Sequence, residues 1–409
     1  MKRRGAHRAM RVGVFGLLGT GNLGNDASFE AVLAFLRERY PNATVDCRCG
    51  GPAYVEQRYG VAASPLNAYG GEYRTASTAG AIVGKAVGKL VDAVRTARWV
   101  RRHDVVIVPG MGVLEATLPL RPWGFPYSLL LLCVAGRVFG TTVALVGVGA
   151  DVVGGAASRR VLALAARLAR YRSYRDELSR DAMRAMGVDT SADGVFPDLA
   201  FALPTPEPTS GPTGAVGVGV MDFRGGDGDR HRADELHAAY VGALVGFIRW
   251  LVASGRTVRL FVGDHVDDAV AAKIVAEVGS PAVSAPKVST MDELQREMAT
   301  VDSVVATRYH NVVCALRLGK PTISVGYAAK NHALMASMGL GPFCLSAYDV
   351  TGDRLVALFT ELVSSDRAPD LAERNRAAAR GIEAQFAELS AAVLAAPPAR
   401  PPVPAGKGA

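Results

Sequence analysis

Short apolar runs alternate along the chain with longer stretches in which apolar residues return every three or four positions. The runs are too short for helices and are bounded by turn residues, so they read as strands, and the stretches between them read as amphipathic helices. The first series predicts strands at Arg11 to Gly16, Thr44 to Cys49, Asp104 to Pro109, Thr142 to Gly147, Arg172 to Arg175 and Gly194 to Pro197. After Leu203 the pattern stops. PTPEPTSGPTG, from Pro204 to Gly214, is too rich in proline, threonine and glycine to sustain a helix or a ladder, and it reads as a linker. A second series then predicts strands at Ala215 to Met221, Thr257 to Val262, Ser303 to Ala306 and Thr322 to Val325.

Strands alternating with helices form parallel sheets. The expected architecture is therefore α/β, with two Rossmann-like domains facing across a cleft. The expected division is a basic N-terminal extension at 1–10, a first domain at 11–203, the linker at 204–214, a second domain with a terminal helix at 215–395 and a disordered tail at 396–409. Open parallel sheets bind ligands beyond the carboxyl ends of their strands, which places the ligands in that cleft.

Composition leaves this picture in place. The 409 residues suffice for two cores, and 49% hydrophobic against 21% charged residues suits a chain that buries an interior. Lysine and arginine exceed aspartate and glutamate by 46 to 38. That excess suits anionic small substrates or an anionic membrane surface. No basic run interleaved with aromatics accompanies it, so nucleic acid is not an expected partner. Cys47, Cys49, Cys133, Cys314 and Cys344 form no CxxC pair, and no histidine cluster has zinc spacing. Buried thiols, no metal and a cytoplasmic setting are the expectation, with Cys47 and Cys49 on one face of their strand. The apolar run Val12 to Leu18 breaks into GTGNLGND and reads as a first strand rather than a signal peptide. The longest apolar region, Ser128 to Ala150, is interrupted by Gly136, Arg137 and Gly140 and reads as a buried helix and strand rather than a membrane span.

Three stretches carry candidate chemistry. In GLLGTGNLGNDASFEAVLAFL, Gly16, Gly19, Gly21 and Gly24 precede an amphipathic helix, a turn that lets backbone amides approach a phosphate or nucleotide. The spacing is not a clean G-x-G-x-x-G fingerprint, and Asn25 or Asp26 can equally serve as the helix cap. In RSYRDELSRDAMRAMGVD, Arg175 stands at a strand end, where it can bind a carboxylate or phosphate or simply pair with Asp176 or Asp181. In DSVVATRYHNVVCALRLGKPTISVGYAAKNHALMASMGL, Arg308 and His310 follow a strand at a helix start, and Tyr327 and Lys330 follow the next strand. Two cations and a titratable imidazole thus converge on adjacent strand ends.

At this third stretch the chain resembles the polysaccharide pyruvyl transferase family, through Asp302, Arg308, His310, Ala315, Gly319, Pro321, Tyr327, Lys330 and Gly339. GNLGND, from Gly21 to Asp26, is similar to the family's N-terminal glycine-rich turn. Tyr174, Arg175, Asp176 and Ser179, with Asp198 and Phe201, are similar to its central arginine motif. Where the family often has a triple-glycine turn after its middle strand, PGMGVLE keeps only Gly110 and Gly112. The resemblance implies a fold similar to the type B glycosyltransferases and a pyruvate ketal made on a sugar diol of a cell-envelope polysaccharide or glycolipid. Phosphoenolpyruvate is then a co-substrate, phosphate the leaving group, and no cofactor or metal is required. Arg175, Arg308 and His310 are the implied catalytic residues. Gly21, Asn22, Gly24, Asn25, Asp26, Tyr327 and Lys330 are the implied substrate-binding ones.

Two alternatives stay open. A nucleotide-sugar glycosyltransferase of similar fold would use acidic residues such as those of GDHVDD, Gly263 to Asp268. A non-catalytic binder of anionic glycans would use the arginines alone. The helix predicted from Ala81 to Arg102 carries Lys85, Lys89, Arg95, Arg98, Arg101 and Arg102 among aliphatic residues. It can lie peripherally on the inner membrane face, near a lipid-linked acceptor, or be a solvated surface helix.

Overall fold

The computed structural model describes residues 8–68, 79–115, 122–207, 211–365 and 368–395. The tail expected at 396–409, residues 1–7 of the basic extension and residues 208–210 of the linker lie outside the described residues. The chain forms two compact units: Met1–Thr20, Val32–Phe196 and Ala384–Ala409 make the first, and Gly21–Ala31 with Pro197–Glu383 the second. The glycine-rich stretch that follows the first strand is thus part of the second unit.

The first unit is built on strands β1 (Arg11–Gly16), β2 (Thr44–Cys49), β3 (Ala62–Pro65), β4 (Val105–Pro109), β5 (Thr142–Val148), β6 (Tyr171–Tyr174) and β7 (Gly194–Val195). They form a parallel sheet in the order β3-β2-β1-β4-β5-β6-β7. The second unit uses β8 (Ala215–Gly219), β9 (Thr257–Phe261), β10 (Val283–Ser284), β11 (Ser303–Ala306), β12 (Thr322–Gly326) and β13 (Cys344–Ser346). Their order is β10-β9-β8-β11-β12-β13, again all parallel. Every residue of β4, β5, β8, β11 and β12 is buried. Such strands are covered on both faces, which is why the sequence shows continuous apolar runs rather than alternation. In both sheets the strand order reverses at the first strand, between β1 and β4 and between β8 and β11, the topological switch points of doubly wound sheets.

Each predicted strand forms, with ends moved by a residue or two. The strand expected to end at Arg175 ends at Tyr174, leaving Arg175 just beyond the sheet. The sequence did not reveal β3, β10 and β13, which are edge strands of two to four residues with partly exposed side chains. The apolar region Ser128 to Ala150 is a mostly buried helix, Phe125–Phe139, followed by β5. The helical stretch Gly228–Ala253 is long and apolar enough to cross a membrane, and half of that window is buried inside the molecule. All five cysteines are free, and Cys47 and Cys49 are both buried on β2.

Met111 stands where the resembled family often has the middle glycine of its turn. Its φ is 57°, the one left-handed non-glycine residue among those described. The side chain is 1% exposed, and its methyl group packs so closely on Gly16 that a Cβ there would lie 2.2 Å away. Left-handed backbone costs an ordinary residue about 1 kcal/mol relative to glycine, whereas a buried methionine side chain contributes about 1.5–3 kcal/mol. Burial wins, so methionine is kept in a backbone conformation that suits glycine. Thermal unfolding should therefore rank wild type above Met111→Gly and Met111→Gly above Met111→Ala, the reverse of the usual alanine-over-glycine order. Equal melting of the two variants would remove the strain argument.

Candidate active site

The second unit's switch point is where its chemistry gathers. β11 ends at Ala306, and Thr307 and Arg308 turn the chain into the helix Tyr309–Arg317. Arg308 precedes that helix with extended backbone and does not cap it. Its guanidinium instead reaches Asp267, with Nε 2.7 Å from Oδ2 and Nη2 2.8 Å from Oδ1. Asp267 is fully buried and also accepts from the Asp222 backbone N–H at 2.9 Å. Burial pushes the Asp267 carboxyl above its ordinary range although Arg308 pulls it back. On Arg308 burial works against the charge, but the two bonds to Asp267 outweigh it and the pKa lies above its ordinary value. Beside it, the Thr307 hydroxyl lies 2.7 Å from the Tyr240 hydroxyl, which accepts from Met221 N–H at 3.2 Å.

His310 is the second residue of the same helix. Its Nε2 lies 3.7 Å from Asp198 Oδ2, while Asp198 Oδ1 accepts from Ala200 N–H at 2.9 Å and so caps the short turn Leu199–Ala202. The other edge of the imidazole faces the glycine-rich turn. A Cβ on Gly24 would sit 1.9 Å from His310 Nδ1, so only glycine lets the backbone pass the ring. The turn is tied down from the far side. Asn22 Nδ2 donates to Asp264 Oδ2 at 3.1 Å, and Leu23 N–H donates to Gly263 C=O at 3.2 Å. Asn22 Oδ1 accepts from Asn25 N–H at 3.2 Å, so Asn22, rather than Asn25 or Asp26, caps the helix Leu23–Arg39. Asp26 is buried in that helix's first turn, and Gly21 adopts a φ of 92° against His265.

The second cation arrives from β12. Tyr327 follows Gly326, and Lys330 lies in the first turn of the helix Ala329–Ser337. Lys330 Nζ is 5.4 Å from the Tyr327 ring centre and 5.7 Å from that of Tyr309. Both distances suit attraction of an ammonium to an aromatic face. Tyr309 meets the His310 ring edge-on at 5.3 Å. Gly21, Asn22, Gly24, Asn25, Asp26, Arg308, His310, Tyr327 and Lys330 therefore all belong to one unit. Asp302 serves the linker instead, accepting from Thr213 and Gly214 N–H at 2.8 and 2.7 Å.

Arg175 belongs to the first unit. Its side chain is buried, paired with Glu115, and 3.8 Å from Asp176 Oδ2. Gly149 makes room for this pair: a Cβ there would lie 2.3 Å from Glu115 Oε1 and 2.5 Å from Arg175 Nη2. Asp176 also caps the helix Glu177–Ala185, and Asp181 pairs with Arg184 at 2.8 Å. Sequence reasoning missed Glu115 and Asp267. Asp267 stood in view within an acidic run, but nothing in the spacing tied it to Arg308. Among the described residues, no cluster of histidine, cysteine, aspartate and glutamate has the arrangement of a metal site.

The Gly24–His310 contact yields a coupling test. Gly24→Ala should destabilise the protein by about 1–3 kcal/mol through overpacking. His310→Ala removes the clash, so the double variant should be more stable than the sum of the single changes predicts, by at least about 0.5 kcal/mol in denaturant unfolding. Additive changes would show that Gly24 and His310 do not constrain one another.

Solved structures with this architecture include the UDP-GlcNAc 2-epimerase of Neisseria meningitidis bound to UDP-GlcNAc (TM-score 0.58, 11% identity, 93% of this chain and 99% of that one). The Methanocaldococcus jannaschii UDP-GlcNAc 2-epimerase (TM-score 0.58, 9% identity, 88% and 94%) and Acinetobacter baumannii MurG (TM-score 0.56, 12% identity, 93% and 99%) are similar as well. At such identities the likeness concerns the fold, which is that of the type B glycosyltransferases and epimerases, two Rossmann-like units in one chain. No curated protein matches the sequence. The polysaccharide pyruvyl transferase profile, in contrast, matches residues 22–328, running from the glycine-rich turn through the arginine motif to Tyr327. With that match over most of its length, the chain belongs to the polysaccharide pyruvyl transferase family.

Proposed function

We propose that this enzyme transfers the pyruvyl unit of phosphoenolpyruvate to a diol of a cell-envelope polysaccharide or glycolipid, forming a ketal and releasing phosphate. The observation that carries the reading is the arrangement of His310 beside Arg308 and Lys330 at neighbouring strand ends, in a chain of this family. The donor is a small polyanion and needs fixed positive groups. Lys330 stands against the rings of Tyr309 and Tyr327, and Asp267 fixes the guanidinium of Arg308.

In the first step a sugar hydroxyl bonds to C2 of the enol phosphate, C3 takes a proton and the hydroxyl loses one. In the second, the neighbouring hydroxyl bonds to the same carbon as the C2–O bond to phosphate breaks, and its proton leaves with phosphate or solvent. His310 can hold or deliver a proton near neutral pH, and Asp198 on the Nε2 side orients the ring. Arg175 enters the proposal through the family's central motif and holds its buried place with Glu115. Of the three acidic residues of GDHVDD, Asp267 holds Arg308, Asp264 accepts from Asn22, and the exposed Asp268 lies 3.4 Å from His265.

Titration calorimetry with phosphoenolpyruvate and with UDP-sugars tests the reading. Phosphoenolpyruvate should release heat, with Lys330→Ala weakening its affinity about 10-fold or more, as expected for a contact to a charged ligand group of about 1.5–3 kcal/mol. His310→Gln should bind the donor within a few-fold of wild type but lose about 10²–10⁴-fold in phosphate release once an acceptor is supplied. Heat from a UDP-sugar and none from phosphoenolpyruvate would move the protein to glycosyl transfer. Unchanged turnover in His310→Gln would remove His310 from the chemistry.

A further inference from the structure

The helix Ala79–Val100 of the first unit is amphipathic in the reverse of the usual sense. A helix covering a sheet turns its apolar stripe inward. Here the buried positions are Gly88, Asp92, Thr96, Trp99 and Val100, spaced as one helical face whose only aliphatic side chain is the last. They are fixed by polar contacts: Asp92 Oδ1 accepts from Ala68 N–H at 2.7 Å and lies 3.9 Å from Arg48, and Trp99 Nε1 donates to Asp46 at 2.6 Å. The opposite face presents Ile82, Val83, Val87, Leu90, Val91 and Val94 to solvent, each between 41% and 70% exposed. Rolling the helix to hide them would break those contacts.

The charges around this stripe have one sign. From 79 to 102 the only acidic residue is Asp92, and it is buried. Lys85 flanks one edge of the stripe, Arg95 the other, and Arg98, Arg101 and Arg102 follow its end, while the Lys89 ammonium turns inward over the Tyr127 ring at 5.3 Å. A tryptophan adjoins it. The Tyr127 hydroxyl donates to Lys89 C=O at 3.2 Å, and Trp123, 67% exposed, lies 6.2 Å from the Tyr127 ring. Aliphatic residues rimmed by cations, with an exposed tryptophan, match the chemistry of a bilayer interface carrying anionic headgroups.

We infer that this helix face, with Trp123, docks the enzyme peripherally on an anionic lipid bilayer. The inference is independent of the pyruvyl transfer reading, because none of these residues belongs to the candidate site. Flotation of the full chain with vesicles of phosphatidylcholine alone, and with vesicles mixed equally with phosphatidylglycerol, tests it. The wild type should float with the mixed vesicles, less so at high salt, and Trp123 emission should shift to the blue. The double variant Val87→Glu/Leu90→Glu changes only exposed positions. It should keep the wild-type melting temperature and lose about 10-fold or more in vesicle affinity, as removal of buried aliphatic area requires. Failure of the wild type to float overturns the inference. So does concentration-dependent self-association that the double variant abolishes while neither protein binds vesicles, since a second copy would then cover the face.

Discussion

A carboxylate with no access to water, Asp267, sets the geometry of the second unit's chemistry. Such a group is tolerable only with a complete set of donors, and taking away one partner of a buried pair typically costs about 3–5 kcal/mol. Its donors are the guanidinium of Arg308 and the backbone N–H of Asp222. Asp222 follows β8, Asp267 follows β9 and Arg308 follows β11, so one carboxylate ties together the ends of three neighbouring strands. Because Arg308 immediately precedes the Tyr309–Arg317 helix, holding it fixes where that helix begins. The direction of His310 follows from that start.

The first unit repeats the device. Arg175 stands one residue beyond β6 and is buried on Glu115, as Arg308 stands two beyond β11 on Asp267. In each case the arginine follows a short parallel strand, and its carboxylate comes from a loop after a different strand. Burying an ion pair adds little to stability compared with an apolar replacement, but it makes one orientation strongly preferred over the others. Prearranged charge of this kind is what stabilisation of a charged transition state requires, since nothing has to reorganise when the charge develops.

Much of this was legible in the sequence, and the remainder was hidden for identifiable reasons. Buried parallel strands give apolar runs, so β1 and β11 could be placed to the residue, and the half-buried β2 was placed as well. The edge strands β3, β10 and β13 lack that signal because water reaches them. The positions of Arg308, His310 and Lys330 just beyond β11 and β12 could be read from the sequence because strand ends in doubly wound sheets are few. Their partners could not: Asp267 lies 41 residues from Arg308, Glu115 60 from Arg175, and a carboxylate in a polar loop looks the same whether it is solvated or buried. The grouping of Gly21–Ala31 with the second unit was hidden too, resting on Gly24 against His310 and on Leu23 and Asn22 against Gly263 and Asp264.

The central claim is that a phosphoenolpyruvate-sized anion is received beside His310. Selective ¹³C labelling of histidine, with the His310 ring resonance assigned by its loss in the His310→Gln variant, observes that residue directly. The account predicts that phosphoenolpyruvate moves this resonance saturably while the exposed His265 stays in place. An unmoved His310 signal at saturating donor, or an equal response of both histidines, would contradict it.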